Sequence, residues 1–211
     1  MGRRSDHSRE QIRDMAIAAA EQIVVNEGAS KLSTRKVARS IGYTAGTLYL
    51  VFKNFDDLVL HVNSHTLNDL YAFLQNNADT SQDSTVENIK SLARAYFAFA
   101  ESEYQRWSLL FEYHAQTEFI NPDWFQAQIL KNFSLANEQL SKFIPGIQAD
   151  ILQKNTYALW SGVHGICVLH LSGKLSVVHK IDAFKLTDEL VTNFLAGLDI
   201  KENREGARHV N

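Results

Sequence analysis

LSTRKVARSIGYTAGTLYLVFKNFDDL, which spans Leu32–Leu58, predicts two short helices joined by a tight turn, with a third helix directly after them. Ser33 can cap the first helix, because a hydroxyl at that position accepts an otherwise unpaired backbone N–H. Gly42 can end that helix, since glycine readily adopts the left-handed conformation that often follows a helix. Thr44 can cap the second helix, AGTLYLVF, in the same way as Ser33 caps the first. The stretch therefore predicts a helix-turn-helix.

The second helix of this stretch has a buried side and a polar side. Leu48 and Phe52 are four residues apart and form the buried side. In a helix-turn-helix the second helix enters the major groove while the first crosses the backbone, and hydroxyl and cationic side chains contact phosphates. Small side chains at its tip would let the backbone approach the groove floor. We predict these DNA-binding residues: Thr34, Arg35, Lys36, Thr44, Ala45, Gly46, Thr47, Tyr49 and Lys53.

The runs T-R-K-V-A, I-G-Y-T-A-G-T-L-Y and F-K-N-F-D-D-L resemble, in order and spacing, the DNA-binding domain of TetR-type transcriptional regulators. The resemblance covers roughly Ser8 to Leu60. It implies two groups of contacts, which are phosphate contacts at Thr34, Thr47 and Tyr49, and positions nearest the base edges at Arg35, Thr44, Ala45 and Gly46.

Two positions depart from the family pattern. Val51 stands where family members often have His, and Phe55 stands where they often have Lys. Both departures remove a possible phosphate contact. We therefore expect Lys53 and the arginines of the N-terminal arm, Arg3 and Arg4, to carry more of the binding.

The charge of the chain is distributed unevenly. Residues 1–53 hold nine Lys and Arg against five Asp and Glu, a net charge of +4, and the remainder has a net charge of −7. The basic end can approach phosphates while the acidic body stays clear of DNA. This asymmetry supports the helix-turn-helix interpretation.

Helical periodicity continues through the rest of the chain, and we predict an all-α protein. Further helices are expected from Ser8 to about Glu27, Asp56 to about Asn76, Ser84 onward, Arg106 to Tyr113, Pro122 to before Pro145, Asp150 to about Leu171, and Asp182 to Leu198. We expect a DNA-binding domain over residues 1–54, an effector-binding and dimerisation domain over 55–200, and a disordered tail over 201–211. Residues 1–7 are also expected to be disordered.

The segment ALWSGVHGICVLHLSGKL resembles the signature helix of a TetR subfamily with a Trp-x3-His-Gly pattern, here Trp160, His164 and Gly165. The resemblance implies that the helices at 150–171 and 182–198 pair with their copies in a four-helix bundle. A homodimer would also let one helix-turn-helix per chain recognise a palindromic operator. Small residues in the 150–171 helix predict a close helix–helix approach, since glycine costs about 1 kcal/mol in a helix interior.

Aromatic residues concentrate in the middle of the chain, where they can form the core or line a pocket. A pocket of this composition suits a small hydrophobic or planar ligand. The candidate pocket residues are Tyr96, Phe97, Trp107, Phe111, Trp124, Phe125, Phe133, Trp160 and His164, with Tyr113 and His114 as further polar candidates. Core packing remains the alternative for each of them, and for His164 in particular.

No catalytic motif is present, since the chain has no Gly-rich phosphate loop, HExxH pair, GxSxG turn or paired cysteines. We predict no catalytic residues, no cofactor and no metal site, although His61 and His65 have a spacing that could ligate zinc. The lone Cys167 fits a buried structural thiol and a reducing cytoplasm. No stretch has the ~20 apolar residues that a membrane helix requires.

The chain is thus expected to be a cytoplasmic transcriptional regulator that binds double-stranded DNA. A repressor that a small hydrophobic or aromatic effector releases from its operator is the first interpretation. Two alternatives remain open. One is a TetR-like DNA binder without an effector, which would be nucleoid-associated or controlled by a partner protein, and the other is an activator.

Overall fold

A computed structural model describes residues 7–115, 122–175 and 181–208, with side chains as far as Leu198. The elements are α1 (Arg9–Glu27), a 3-10 turn (Ala29–Lys31), α2 (Thr34–Ser40), α3 (Ala45–Leu48), α4 (Phe55–Asn77), α5 (Thr85–Ser102), α6 (Tyr104–Glu112), α7 (Asp123–Phe143), α8 (Ala149–Leu171) and α9 (Ala183–Arg208). No strand occurs in these ranges, so the all-α prediction is confirmed. The expectations for residues 1–6, including Arg3 and Arg4, lie outside the described residues.

The chain divides into two compact units. The first comprises Met1–Asp69 and Glu103–Ile129, and the second comprises Leu70–Ser102 and Leu130–Asn211. The division differs from the boundary that we expected at residue 54. The start of α4 and the whole of α6 belong to the first unit because Leu58, Val59, Val62 and Leu109 are buried in its core.

The core of the first unit is built on α1. Ala16, Ala20 and Val24 are fully buried along one side of this helix and belong to the same apolar cluster as Val37 of α2 and Leu48 of α3. Ser8 caps α1 in a reciprocal capping box with Gln11. The helix therefore supports the two helices that follow.

The second unit packs α5 and α8 against α9. Its fully buried side chains include Phe97 and Phe99 of α5, Leu140 of α7, and Val191 and Leu195 of α9. Two polar links join the same helices. The amide of Asn88 in α5 donates to Oε1 of Gln139 in α7 at 3.3 Å, and the guanidinium of Arg94 in α5 pairs with Asp188 in α9.

The glycines of α8 have different surroundings. A Cβ built on Gly162 would lie 2.7 Å from a terminal methyl of Leu190, so this glycine permits the close approach of α9 that we expected. Gly165 has open space, since no described residue outside the adjoining turns of α8 lies within 4 Å of such a Cβ. The predicted close approach is therefore made at Gly162 within the chain, and Gly165 does not take part in it.

The last helix is longer than predicted. We expected it to end at Leu198 and the tail to be disordered from residue 201, whereas α9 continues to Arg208. Residues 201–208 consist mostly of Lys, Glu, Arg and Ala, which have high helix propensity and can extend a helix without burial. None of the described helices combines the length and apolar composition that crossing a bilayer would need.

Candidate nucleic-acid interface and effector cluster

The helix-turn-helix is defined by two capped helices and a glycine turn. Ser33 Oγ accepts the backbone N–H of Lys36 at 3.3 Å, and Thr44 Oγ1 accepts that of Thr47 at 3.3 Å. Gly42 between the two helices has φ +76°, a conformation that glycine adopts without strain. All three capping and turn predictions are confirmed by this geometry.

The second helix is shorter than predicted. We expected AGTLYLVF to be helical throughout, but α3 covers only Ala45–Leu48, and turn hydrogen bonds from Leu50 to Thr47 and from Phe52 to Leu48 continue the coil. The coil ends at Phe52 because the N–H groups of Lys53 and Asp57 bond to the side chains of Asp57 and Asn54, which begin α4. Leu48 and Phe52 are both buried. The predicted burial of these two side chains is confirmed.

Most of the predicted DNA-binding residues lie at the surface of the first unit. Arg35, Thr44, Gly46, Tyr49 and Lys53 are exposed, and Thr34, Lys36, Ala45 and Thr47 are half-buried. Their position on one continuous helix-turn-helix is compatible with the predicted contacts. The contacts themselves stay predictions.

The cations of this surface differ in their surroundings. The ammonium of Lys36 pairs with the carboxylate of Glu27 at the end of α1, which compensates its charge. Arg35 and Lys53 make no ion pair with a described residue. Their full charge is available to an anionic partner.

The backbone of Lys53 is held by the start of α4. Its N–H donates to Oδ2 of Asp57 at 2.9 Å, and the N–H of Asp57 donates to Oδ1 of Asn54 at 2.8 Å. Asn54 thus caps α4, and Asp57 of its first turn accepts the amide of the residue before the cap. Asp57 thereby determines where Lys53 projects from the loop between α3 and α4.

Sequence reasoning missed Arg13 of α1. Its Nη2 donates to the carbonyl oxygen of Val51 at 3.3 Å, and its guanidinium lies over the Phe52 ring at 5.7 Å from the centroid. These contacts hold the residues directly after α3 against α1. Arg13 is separated from Val51 by 38 residues, so no local pattern could have indicated the contact.

Both departures from the family pattern have packing roles. Phe55 is half-buried against the first core, with its ring 6.2 Å from that of Tyr113 in an edge-on contact. Val51 also packs on this core, while its carbonyl accepts from Arg13. Apolar side chains at these positions stabilise the fold where a cation would contact phosphate.

The candidate pocket residues divide between the two units. Trp107, Phe111, Trp124 and Phe125 belong to the first, and Tyr96, Phe97, Phe133, Trp160 and His164 belong to the second. In the first unit Trp107 is 1% exposed and contacts Phe111 at 5.1 Å, which is core packing. Neither unit by itself therefore contains all nine side chains.

Four of the candidates form a connected group in the second unit, which we call the effector cluster: Tyr96, Phe133, Trp160 and His164. Tyr96 Oη and His164 Nδ1 share a hydrogen bond of 2.8 Å, and the Trp160 ring stacks on His164 at 5.0 Å. Phe133 contacts Trp160 edge-on at 5.4 Å. Burial lowers the pKa of His164, so the imidazole is neutral at pH 7.

The remaining polar candidates have structural partners. The hydroxyl of Tyr113 donates to the buried carboxylate of Asp56, and both burial and this bond raise the pKa of Tyr113. His114 is exposed and its Nδ1 lies 2.8 Å from the carbonyl of Glu112. Cys167 is buried, which raises the pKa of its thiol to about 12 and keeps it protonated, as a structural thiol would be.

His61 and His65 face different neighbours. His61 lies between the rings of Phe52 and Trp124, at 5.8 and 5.0 Å, with its Nε2 3.8 Å from a carboxylate oxygen of Asp57. His65 Nδ1 lies 2.7 Å from the carboxylate of Glu21. No group of three potential metal ligands occurs among the side chains that are described.

An open cleft of about 460 Å³ lies in the first unit between α1, α4 and α6. It is lined by Glu21, Gln22, Val25, His65, Asn68, Asp69, Glu103 and Arg106. Its charged groups are largely paired with one another, including Arg106 with Asp69. The lining is polar, unlike the apolar pocket that we expected for an effector.

Two protein families match this chain, one in its N-terminal part and one in its C-terminal part. Residues 16–62 match the family described as "Bacterial regulatory proteins, tetR family", and residues 89–194, half of the chain, match "Tetracyclin repressor-like, C-terminal domain". The subfamily with the Trp-x3-His-Gly pattern stays a prediction.

Individual proteins agree with this match. The HTH-type transcriptional regulator Rv1816 of Mycobacterium tuberculosis is 30% identical over 116 residues, which are 53% of this chain and 47% of the relative. The match thus spans about half the length of that curated relative.

Two solved structures share the fold at low identity. A TetR-family transcriptional regulator from Streptomyces coelicolor has a TM-score of 0.64 at 18% identity, covering 98% of this chain and 87% of the other. FadR from Bacillus subtilis, solved with stearoyl-CoA, has a TM-score of 0.62 at 14% identity, covering 87% and 98%.

Proposed function

Because the chain belongs to the TetR family of bacterial DNA-binding transcriptional regulators, we propose that it is a homodimeric repressor released from a palindromic operator by a small hydrophobic or aromatic effector. The exposed helix-turn-helix carries this proposal. Arg35 and Lys53 offer uncompensated charge there, and capped ends hold α2 and α3 in place. A repressor of chromosomal genes works in the cytoplasm and needs no catalysis.

Dimerisation through the second unit is supported by apolar groups on the surface of α8 and α9. Val168 and Leu169 of α8 are 37% and 44% exposed, and Phe184 of α9 is 37% exposed. Among the side chains that are described, none lies within 4 Å of a Cβ placed on Gly165 or Gly197, which would admit another helix closely. A second copy of this chain would cover these groups and give the operator two recognition helices.

An effector would bind at the effector cluster of the second unit. The Phe133 and Trp160 rings offer apolar contact, and the Tyr96–His164 pair offers one polar anchor. This composition suits a hydrophobic or planar ligand with a single polar group. Because FadR from Bacillus subtilis was solved with stearoyl-CoA, a long acyl chain belongs among the ligands to test.

Helix α4 is the proposed connection between the effector and the DNA. It contributes Phe55–Asp69 to the first unit, and its last turns to the second. Its first turn also holds the backbone of Lys53 through Asp57. A displacement of α4 would change the separation of two recognition helices in a dimer, so the effector must bind the DNA-incompetent state more tightly.

Fluorescence anisotropy with the chain's own upstream DNA tests the proposal. Tight binding that exceeds binding to random DNA and weakens with salt is expected. Candidate effectors, including acyl-CoA esters and planar aromatic compounds, are then titrated into the complex. Release by a member of either class, with loss of release in Trp160→Ala, would support the effector mechanism. Absence of binding at low salt would refute the DNA-binding proposal itself.

Two other functions share the same DNA contacts. A TetR-like binder without an effector would bind DNA equally tightly in the presence of every ligand. An activator would bind upstream of a promoter and raise transcription in a reconstituted assay with polymerase. Transcription from an operator-containing template therefore distinguishes repressor from activator.

A further inference from the structure

The recognition helix has few polar atoms to offer to base edges. Thr44 Oγ1 accepts the N–H of Thr47 and shares a hydrogen bond of 3.0 Å with Thr47 Oγ1. Of the two hydroxyl hydrogens, one is therefore held within the pair. Ala45, Gly46 and Leu48 carry no polar side-chain atom. Hydrogen-bonded base recognition by the side chains of α3 and its cap is therefore left to the two threonine hydroxyls, one of whose hydrogens is already used.

Leu50 is exposed to water directly after this helix. Its relative exposure is 63%, more than that of other exposed aliphatic side chains such as Leu130 at 49% and Val25 at 47%. The cause is local, because Leu48 and Phe52 on either side point into the core. The N–H of Leu50 donates to the carbonyl of Thr47 at 3.1 Å, which continues the helical coil and keeps Leu50 beside the exposed side of α3.

An aliphatic side chain at this position has a natural contact in the major groove. Thymine presents its C5-methyl group there, and apolar side chains distinguish it from cytosine by direct contact. Ala45 and Gly46 add little bulk, so the backbone of α3 can approach the groove floor and bring Leu50 within reach. Contact with the methyl group would remove apolar surface of both partners from water, which is favourable.

We propose that Leu50 is a specificity residue that reads a thymine C5-methyl group in the operator. The proposal rests on DNA binding through α3 and adds the chemical group of the operator that is recognised beside this helix. Tyr49 is also exposed, but its hydroxyl is predicted to contact phosphate, which carries no sequence information. The operator is therefore expected to contain a thymine whose methyl group, rather than its hydrogen-bonding edge, sets the preference.

The test removes the methyl group from the DNA and the side chain from the protein. An operator is first selected from random DNA with the full-length protein. Each thymine in it is then replaced by uracil, which lacks only the C5-methyl, and affinities are measured at one salt concentration for wild type and Leu50→Ala. Leu50→Met keeps an apolar contact, and Leu130→Ala is a matched control on an exposed leucine outside the helix-turn-helix.

One uracil position is expected to weaken wild-type binding about four-fold, the value of roughly one buried methyl group. Leu50→Ala should bind the thymine operator about equally weakly and lose nothing more with uracil. Leu50→Met and Leu130→Ala should keep the uracil effect. A Leu50→Ala variant that remains sensitive to the same uracil, or a wild type insensitive at every thymine, would overturn the proposal. Failure to select any operator would instead refute sequence-specific DNA binding altogether.

Discussion

The cations of the helix-turn-helix differ in what they can contribute to DNA binding. Lys53 has no ion-pair partner among the described residues, whereas Lys36 is paired with Glu27. We expect Lys53→Ala to reduce the slope of log affinity against log salt by about one unit, as loss of one phosphate contact does. Lys36→Ala should reduce it less, because binding of paired Lys36 to phosphate first requires release from Glu27.

Anisotropy titrations at four or more salt concentrations measure both slopes. Lys31→Ala is a suitable control, since this exposed lysine lies before α2 and is not a predicted contact. Equal slopes for Lys36→Ala and Lys53→Ala would mean that the Glu27 pair opens without cost. An unchanged slope in Lys53→Ala would show that this residue does not contact phosphate.

Tyr113 donates a hydrogen bond to the carboxylate of Asp56, which is almost fully buried. Asp56 is 4% exposed, and the hydroxyl of Tyr113 donates to it. Tyr113→Phe should lower the free energy of unfolding by roughly 1–3 kcal/mol, since a buried polar group loses a hydrogen bond. Urea unfolding at pH 7.5 measures this value. Tyr104→Phe, at an exposed tyrosine of the same region, should cost much less, and equal losses would contradict the role of the bond.

His61 gives the stability of the first unit a pH dependence. Burial lowers its pKa, and the positive charge of Arg13 acts in the same direction, while Asp57 opposes them and His65 adds a smaller lowering. The folded state therefore favours the neutral imidazole. Its stabilising contribution is complete above the unfolded pKa near 6.5 and is lost as the pH falls towards the folded pKa.

His61→Phe keeps a ring between Phe52 and Trp124 but removes the titrating group. We expect the free energy of unfolding to decline less between pH 7.5 and 5.5 in this variant than in wild type, with little difference at pH 8. Denaturant unfolding across that range measures the slope. The lowered pKa of His164 has the same sign, so some decline will remain. An unchanged or steeper decline would show that His61 is not involved.

At the level of secondary structure elements, α2 depends on its cap. The helix has seven residues, so the four N–H groups of its first turn are a large share of its hydrogen bonds. Ser33→Ala removes the acceptor of the Lys36 N–H and should cost about 1 kcal/mol. Ser40→Ala, at the other end of α2, removes only a hydroxyl that donates to the carbonyl of Val37 and should be nearly neutral.

Thermal unfolding by circular dichroism compares the two serine variants, and the same samples report DNA affinity. Because the cap orients α2 against α3, Ser33→Ala should weaken operator binding as well. Equal melting temperatures for Ser33→Ala and Ser40→Ala would mean that packing of Val37 and Ala38 alone holds the helix.

Local signals in the sequence predicted the helices well, because capping chemistry acts within a few residues. Ser33 and Thr44 cap the helices they were expected to cap, Ser8 caps the helix that was expected to begin there, and Gly42 turns the chain where a positive φ was needed. The end of α9 was predicted wrongly, because charged helix-forming residues leave no apolar periodicity to follow.

Contacts between distant residues could not be predicted in this way. Arg13 meets Val51 across 38 residues, and Tyr113 meets Asp56 across 57. Neither pair has a spacing that implies contact. The sequence likewise does not separate the aromatic candidates into groups. In the structure, Trp107 and Phe111 belong to the first unit and Tyr96 belongs to the second.

At the scale of the whole molecule, two helices belong to both units, so the division does not follow the single boundary at residue 54 that we expected. Packing assigns the start of α4 to the first unit and its end to the second, and α7 is divided in the same manner at Ile129 and Leu130. A helix is stiff over such lengths because its hydrogen bonds are continuous. The backbone of α4 and α7 is therefore continuous from one unit to the other.

Gly165 offers a test of dimerisation that leaves the protomer intact. No described residue outside the turns of α8 around it lies within 4 Å of a Cβ at this position, so the Cβ of Gly165→Leu has room in the protomer. Replacing glycine should also favour the helix by roughly 0.5–1 kcal/mol. In a bundle of α8 and α9 with their copies, the added side chain would hold the helices apart. We expect the dissociation constant of the dimer to rise at least about ten-fold, the effect of ~1.4 kcal/mol of overpacking.

Sedimentation velocity over a range of protein concentrations measures this constant, and circular dichroism verifies that the helix content is kept. Ala72→Leu adds similar apolar bulk at an exposed position of α4 and should leave the dimer unchanged. If Gly165→Leu stays dimeric with unaltered affinity, α8 does not contact its copy at this residue. Operator binding should weaken in parallel with dimer dissociation, because a single helix-turn-helix recognises only half of a palindrome.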